Sequence, residues 1–279
     1  MHICCREDNH VKEQGTLSTG AEVSESLEST LSEYWNGRAA DYHAYHDSSL
    51  RARAEYSVWS AVMAAALDGI EAGSTVLDMG CGTGFISHIV ADLGFRVVGV
   101  DSSPGMLEQA RRDSAKRASL GFSTAEFHCA DVTSPAALAS ALSGVADSGA
   151  AAALSRRVLW TLADPGAALN LWARFVRPTG RVIAADGLWY PEGINSTMEV
   201  KSTQGKDAFI KTYDEGVLRR LPLSSGVGLD DYRRCAESAG LKDISMKLIP
   251  ETRELDRRFG TSKGHESATQ FIMSAAPNF

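Results

Sequence analysis

The chain has no run of about 18 apolar residues, so a membrane-spanning helix is not expected. Its opening residues carry no apolar export segment. Positive charge is in short supply: 28 Lys and Arg stand against 35 Asp and Glu, a formal charge of −7. That balance argues against nucleic acid as a partner, because such binding draws most of its affinity from clustered Lys and Arg. The pairs Arg111-Arg112, Arg156-Arg157 and Arg219-Arg220 are too short to reverse it. Cysteine is sparse and scattered. Cys4, Cys5, Cys81, Cys129 and Cys235 are odd in number and lack metal-ligand spacing, which fits reduced thiols in a cytoplasmic protein. No carboxylate and histidine cluster offers a metal site, so no metal is expected.

At 279 residues and 44% hydrophobic, the chain suits one α/β domain with a cap better than two domains. Its centre is Val76-Leu77-Asp78-Met79-Gly80-Cys81-Gly82-Thr83-Gly84, an apolar run ending in an acid and then alternate glycines. This pattern predicts a strand breaking into a tight turn whose bare backbone a ligand can approach. Phe85 to Leu93 follows with apolar residues at helical spacing, and a second strand, Arg96 to Val100, ends in Asp101. An acid at that strand end is placed to accept the hydroxyls of a ribose. The unit therefore reads as a nucleoside-binding βαβ.

A dinucleotide fingerprint requires Gly-x-Gly-x-x-Gly, whereas here the third glycine is Gly84 and position 85 is Phe. Asp78 would meet a pyrophosphate as a like charge, so a nicotinamide oxidoreductase is disfavoured. A ligand carrying an ammonium suits it better. The motif resembles that of the class I S-adenosylmethionine-dependent methyltransferases, and the resemblance runs from about Tyr34 to the C-terminus. It implies a Rossmann-like α/β fold with a seven-stranded, mostly parallel sheet of order 3-2-1-4-5-7-6 and helices on both faces. It also implies S-adenosyl-L-methionine as cofactor. Asp78 would then help hold the methionine amino group, the backbone from Gly80 through Gly82 to Gly84 would wrap the methionine part, and Asp101 would bind the ribose. Ser102 and Met106 would lie against adenine, Asp131 with neighbouring Val132 would take the adenine amino group, and Ser155 would complete the site.

Residues 1–25 read as a flexible arm, 26–70 as an N-terminal helical lid and 71–279 as the core, which includes an insertion at 187–225. Within the lid, Tyr34, Arg38 and Tyr42 resemble the aromatic entry segment that closes over the cofactor in small-molecule members. A lid so weakly tied to the core could also exchange between subunits, giving a homo-oligomer. A further helix is expected over Ala54 to Leu67, a short one from Leu138, another over Ala167 to Val176 and a capped one over Leu229 to Gly240. The fifth strand is expected at Arg181 to Asp186 and a closing antiparallel pair at Ile244 to Ile249 and Gln270 to Ser274.

Ligands of open α/β sheets bind outside the carboxyl ends of the strands, which places Ser155, Arg156, Arg157 and Trp160 where donor and acceptor should meet. Comparable members often carry His at position 157. Arginine keeps its proton, so a base role does not transfer to Arg157. His43, His46 and His265 are the remaining candidate bases, with His46, Arg157 and Trp160 the candidate catalytic residues. Trp160, Trp189, Tyr190, Phe209 and Tyr213 are expected to line a pocket for a small, largely apolar or aromatic acceptor. The overall character resembles bacterial specialised metabolism, including C-methyltransferases acting on the prenyl chain of teleocidin-type indole lactams. There, aromatic faces would stabilise a carbocation that goes on to cyclise. An O- or N-methyltransferase and a non-catalytic binder of the same cofactor remain open alternatives.

Overall fold

The computed structural model describes residues 20–46, 50–145, 149–190, 208–260 and 267–278. Two leading helices, α1 (Gly20–His46) and α2 (Leu50–Ala66), precede the alternating elements β1 (Thr75–Met79), α3 (Phe85–Asp92), β2 (Arg96–Asp101), α4 (Pro104–Ser119), β3 (Glu126–Cys129), α5 (Pro135–Ala141) and β4 (Ala150–Arg156). A single 3₁₀ turn at Leu159–Thr161 leads to α6 (Pro165–Ala173) and β5 (Val176–Leu188). The chain closes with α7 (Ala208–Thr212), α8 (Glu215–Leu218), α9 (Leu229–Ser238), β6 (Lys242–Leu248), α10 (Pro250–Phe259) and β7 (Thr269–Ala276).

The seven strands pair in the order β3-β2-β1-β4-β5-β7-β6, as the resemblance implies. The first five run parallel, and β7 lies antiparallel to both β5 and β6. Parallel strands carry helices on both faces, which is why Ala150 to Leu154 is apolar at every position. Alternate residues of the central strands feed two main cores. Leu77, Met79, Val100, Ala153 and Ala184 pack with Trp172, Phe209 and Tyr213 on one face. Val76, Val97, Ala152, Leu154 and Ile183 pack with Trp59, Met63 and Ile89 on the other.

Several boundaries differ from the sequence reading, for local reasons. The helix α1 begins at Gly20, so residues 20–25 of the expected arm are helical, while 1–19 lie outside the described residues. The helix α5 starts at Pro135 rather than Leu138, because the Ser134 hydroxyl accepts from Ala137 N and caps it. In the same way Asp164 caps α6, three residues upstream of the expected start. The strand β5 starts at Val176 rather than at the expected Arg181, because Val176 pairs with Ala150. The helix α10, with Pro250 at its first turn, had no expected counterpart. Among the described residues no helix is long and apolar enough to cross a membrane.

Candidate active site

The glycine turn sits at the junction of β1 and α3. Gly80 N and Cys81 N both donate to Val100 O, at 2.8 and 3.0 Å, which folds the turn onto the end of β2. Gly80, Gly82 and Gly84 all take positive φ, of 72°, 54° and 80°. A Cβ on Gly80 would stand 2.5 Å from Val158, and one on Gly84 2.8 Å from Phe127. A Cβ on Gly82 would meet no heavy atom within 4 Å, so the middle of the turn faces open space. Asp101 braces this cradle: Oδ2 accepts from Gly82 N at 2.8 Å and Oδ1 from Ser103 N at 2.8 Å. Each carboxylate oxygen keeps a lone pair beyond these bonds.

Asp78 lies beneath the turn rather than in it. It is 1% exposed and accepts from the Ser87 hydroxyl at 2.5 Å, on the α3 side of the sheet. Burial pushes its carboxyl up to about 7; the Ser87 bond lowers it, the nearby Asp101 charge raises it and Arg156 lowers it. In the unfolded chain an aspartate titrates near its ordinary value of about 4. Between about pH 4 and 7 the folded state therefore holds a proton that the unfolded state has lost, and stability from this group falls as pH rises through that window. Asp78→Asn, which imitates the protonated acid, is expected to remove that share of the slope, about 1.4 kcal/mol for each pH interval of one within the window. Urea unfolding of both proteins from pH 4 to 8 checks this: the variant should gain on the wild type as pH rises.

The helix α1 runs across the same edge of the sheet. Ser32 Oγ donates to Ser102 O at 3.3 Å, and Asn36 Oδ1 accepts from Gly105 N at 2.7 Å in the first turn of α4. Asp131 is turned onto its own loop, accepting from Thr133 N and Oγ1 at 2.8 Å each, and Thr133 Oγ1 also reaches Glu28 at 3.3 Å. Met106 and Val132 are buried and Ser102 is exposed. Arg38 is half-buried on α1.

On the far side of β1 the expected acceptor residues gather. Tyr213 stacks against both Phe209 at 4.7 Å and Trp160 at 5.2 Å, these two rings lying 6.5 Å apart, while Trp189 lies 5.8 Å from Trp160 and Tyr190 6.0 Å from Phe209. Tyr34 meets Tyr213 edge-on at 5.5 Å, and Trp35, not among the expected site residues, donates from Nε1 to Tyr213 OH at 3.1 Å. Burial holds the Tyr213 phenol far above its ordinary range, so it stays protonated. Ser155 is 1% exposed on this face, and its hydroxyl has no hydrogen-bond partner among the described residues.

The two arginines diverge. Arg156 turns to the opposite face, away from the aromatic cluster, and pairs with Glu55 of α2 at 2.7 Å, its guanidinium 4.5 Å over Trp59 and 5.0 Å over Phe85. Arg157, at φ 59°, bonds Gln270 at 3.4 Å and lies 5.8 Å over Trp189. His43 pairs with Asp113 of α4 at 3.4 Å, apart from the cluster. The side chains of Tyr42 and His46, and all of His265, lie outside the described residues. Two buried acids were not singled out in the sequence: Glu55, and Asp186, two residues before the end of β5. For Asp186 the signal was the one that marked Asp101, an acid closing an apolar strand.

The residues present fit a nucleoside bearing an amino acid. The open Gly82 cradle, the spare capacity of Asp101 and the unpartnered Ser155 hydroxyl all lie at the carboxyl edge around β1, where the strand order reverses.

Comparison with known proteins agrees with this geometry. Over 182 residues the chain is 31% identical to an uncharacterized 37.1 kDa protein in transposon TN4556 of Streptomyces fradiae, covering 60% of this chain and 47% of that one. It thus spans about half the length of that relative. Magnesium protoporphyrin IX methyltransferase of Synechocystis PCC 6803, solved with bound SAM, shares the fold at a TM-score of 0.56 and 14% identity, over 90% of this chain and 97% of that one. Geranyl diphosphate C-methyltransferase of Streptomyces coelicolor A3(2) does so at 0.52 and 16%, over 80% and 79%. Residues 70–224, which hold the glycine turn, Asp101 and most of the aromatic cluster, match the family described as methyltransferase domain. With that match and this sheet order, the chain belongs to the class I S-adenosylmethionine-dependent methyltransferases.

Proposed function

We propose that this chain transfers a methyl group from S-adenosylmethionine to a carbon of a small, largely apolar or aromatic acceptor, with a prenyl chain on an indole compound as the leading candidate. The observation that carries the reading is the meeting of two half-sites at one sheet edge, an open glycine cradle braced by Asp101 and a cluster of stacked aromatic rings. When bound, the cofactor supplies an electrophilic methyl on a sulfonium, and the chain's residues need mainly to align the acceptor with it. Asp101 would hold the ribose hydroxyls and the backbone at Gly82 the methionine part, while Tyr34 and Trp35 cover the cluster from α1. Asp78 acts from below, its charge favouring an ammonium once it ionises.

Carbon rather than oxygen or nitrogen is favoured by what surrounds the cluster. Among the described residues its polar neighbours include an arginine that keeps its proton, the protonated phenol of Tyr213, the phenols of Tyr34 and Tyr190, and an acid already bound by the Trp189 indole N–H and the Trp160 backbone N–H. None is a free base, whereas the ring faces of Trp160, Trp189 and Tyr213 suit a transient positive charge on the acceptor. The fold shared with an enzyme described as a geranyl diphosphate C-methyltransferase is in keeping with this chemistry.

Incubating the purified chain with a trideuteromethyl donor and a mixture of prenyl-indole, phenol and amine acceptors, followed by mass spectrometry, tests the reading. A labelled carbon on the prenyl acceptor is the expected result. Label on oxygen or nitrogen would overturn the carbon assignment. Absence of label together with tight donor binding would indicate a binder that performs no transfer.

A further inference from the structure

Asp186 closes the apolar run of β5 and is 1% exposed. By strand alternation it shares the sheet face of Ala184, whose register partner on β4 is Ser155. Its Oδ1 accepts from the Trp189 indole Nε1 at 2.7 Å and from Gly187 N at 2.8 Å, and its Oδ2 accepts from Trp160 N at 3.4 Å. One carboxylate thereby holds both tryptophans of the cluster, one by its ring and one by its backbone. Gly187 permits this: a Cβ there would stand 2.7 Å from the Trp189 indole, so only glycine lets the ring fold back onto the acid. The Trp160 indole is tied separately, through Nε1 to Arg157 O at 3.1 Å.

We propose that Asp186 is the positioning residue for the acceptor site, fixing the Trp160 and Trp189 rings as one wall and so deciding which acceptors fit and how they present their methyl-accepting atom. The inference rests on the methyl-transfer reading above. The groups facing Asp186 are Arg157 from the β4 exit, whose guanidinium steadies the charged form, and Tyr232 of α9, which donates to Gly187 O at 3.2 Å. Glu55 stands beyond Arg157 at 3.8 Å, and Gln270 of β7 is neutral. Burial pushes the Asp186 carboxyl up to about 6, against its three N–H donors and Arg157, so the wall loosens as pH falls through that value.

The test compares the wild type with Asp186→Asn, which keeps an acceptor oxygen and the shape but cannot titrate. Donor Kd is measured by calorimetry, acceptor kcat and KM from pH 5.5 to 8.5, and tryptophan fluorescence over the same range. Expected in the variant are an unchanged donor Kd, a loss of about 10²-fold in kcat/KM for the acceptor, and disappearance of both the acid limb and the fluorescence transition near pH 6. Trp189→Phe serves if Asp186→Asn fails to fold. Removing one N–H donor should move the acid limb to higher pH. A variant that merely unfolds at lower temperature, with acceptor kinetics and pH profile intact, overturns the proposal, as does an equal loss of donor affinity. If the wild type methylates nothing while its fluorescence transition still vanishes in Asp186→Asn, the methyl-transfer reading falls and the hold of Asp186 on the wall stands.

Discussion

Arg156→Ala is expected to lower stability by about 3–5 kcal/mol, because it strands the Glu55 carboxylate in a dry interior. The two side chains are 6% and 4% exposed and 2.7 Å apart, so water cannot replace the lost partner. The substitution also uncovers the faces of Trp59 and Phe85, each of which packs under the guanidinium. Arg157, at 3.8 Å from Glu55, compensates in part and pulls the loss toward the lower end. In thermal unfolding this amounts to a fall on the order of 10 °C. Replacing both partners by apolar groups, Glu55→Leu with Arg156→Met, should recover most of the loss, since well-packed hydrocarbon often matches a buried ion pair. A single variant within about 1 kcal/mol of the wild type, or a double variant as weak as the single, would contradict this account of the α2–β4 junction.

Gly82→Ala should separate folding from binding. The residue sits at φ 54°, where a side chain costs about 1–2 kcal/mol, yet the added methyl meets no protein atom. It projects instead into the cradle, so donor affinity measured by calorimetry should fall about 100-fold, or about 2.7 kcal/mol, with the fold retained. Gly84→Ala is the contrasting case. There the methyl would strike the Phe127 ring at 2.8 Å, and the damage should appear in the unfolding curve before any ligand is added. Equal behaviour of the two variants would mean that the middle of the turn does not face the donor.

The glycine turn and the strands and helices around it were legible in the chain because their signals are local. Alternate glycines, an acid after each apolar run and a Ser-Pro helix start lie within about thirty residues, and each acts on its immediate neighbours. The strand order followed from the family resemblance that those same residues carry. What escaped the reading depends on partners distant in sequence. Glu55 looks like a solvated helix position until Arg156, 101 residues later, is folded against it. Asp186 carries the strand-end signature of Asp101, but one of its hydrogen-bond donors is Trp160, 26 residues earlier. The helix α10 was missed because six of its ten residues are charged and it buries only Thr252 and Leu255. Arg156 and Arg157 were expected together at the site, yet Arg156 turns back onto Glu55 and Trp59, whereas Arg157, just past the end of β4 at φ 59°, reaches Trp189 and Gln270 while staying 3.8 Å from Glu55.

Within five residues of α1, Ser32 and Asn36 fasten to the turn after β2 while Tyr34 and Trp35 close on the rings around Tyr213. One helix thus contacts both the glycine-turn side and the aromatic rings, so a tilt of α1 over one shifts its contacts over the other. Under the proposed methyl transfer, that shared helix would couple the occupancy of the donor and acceptor sides.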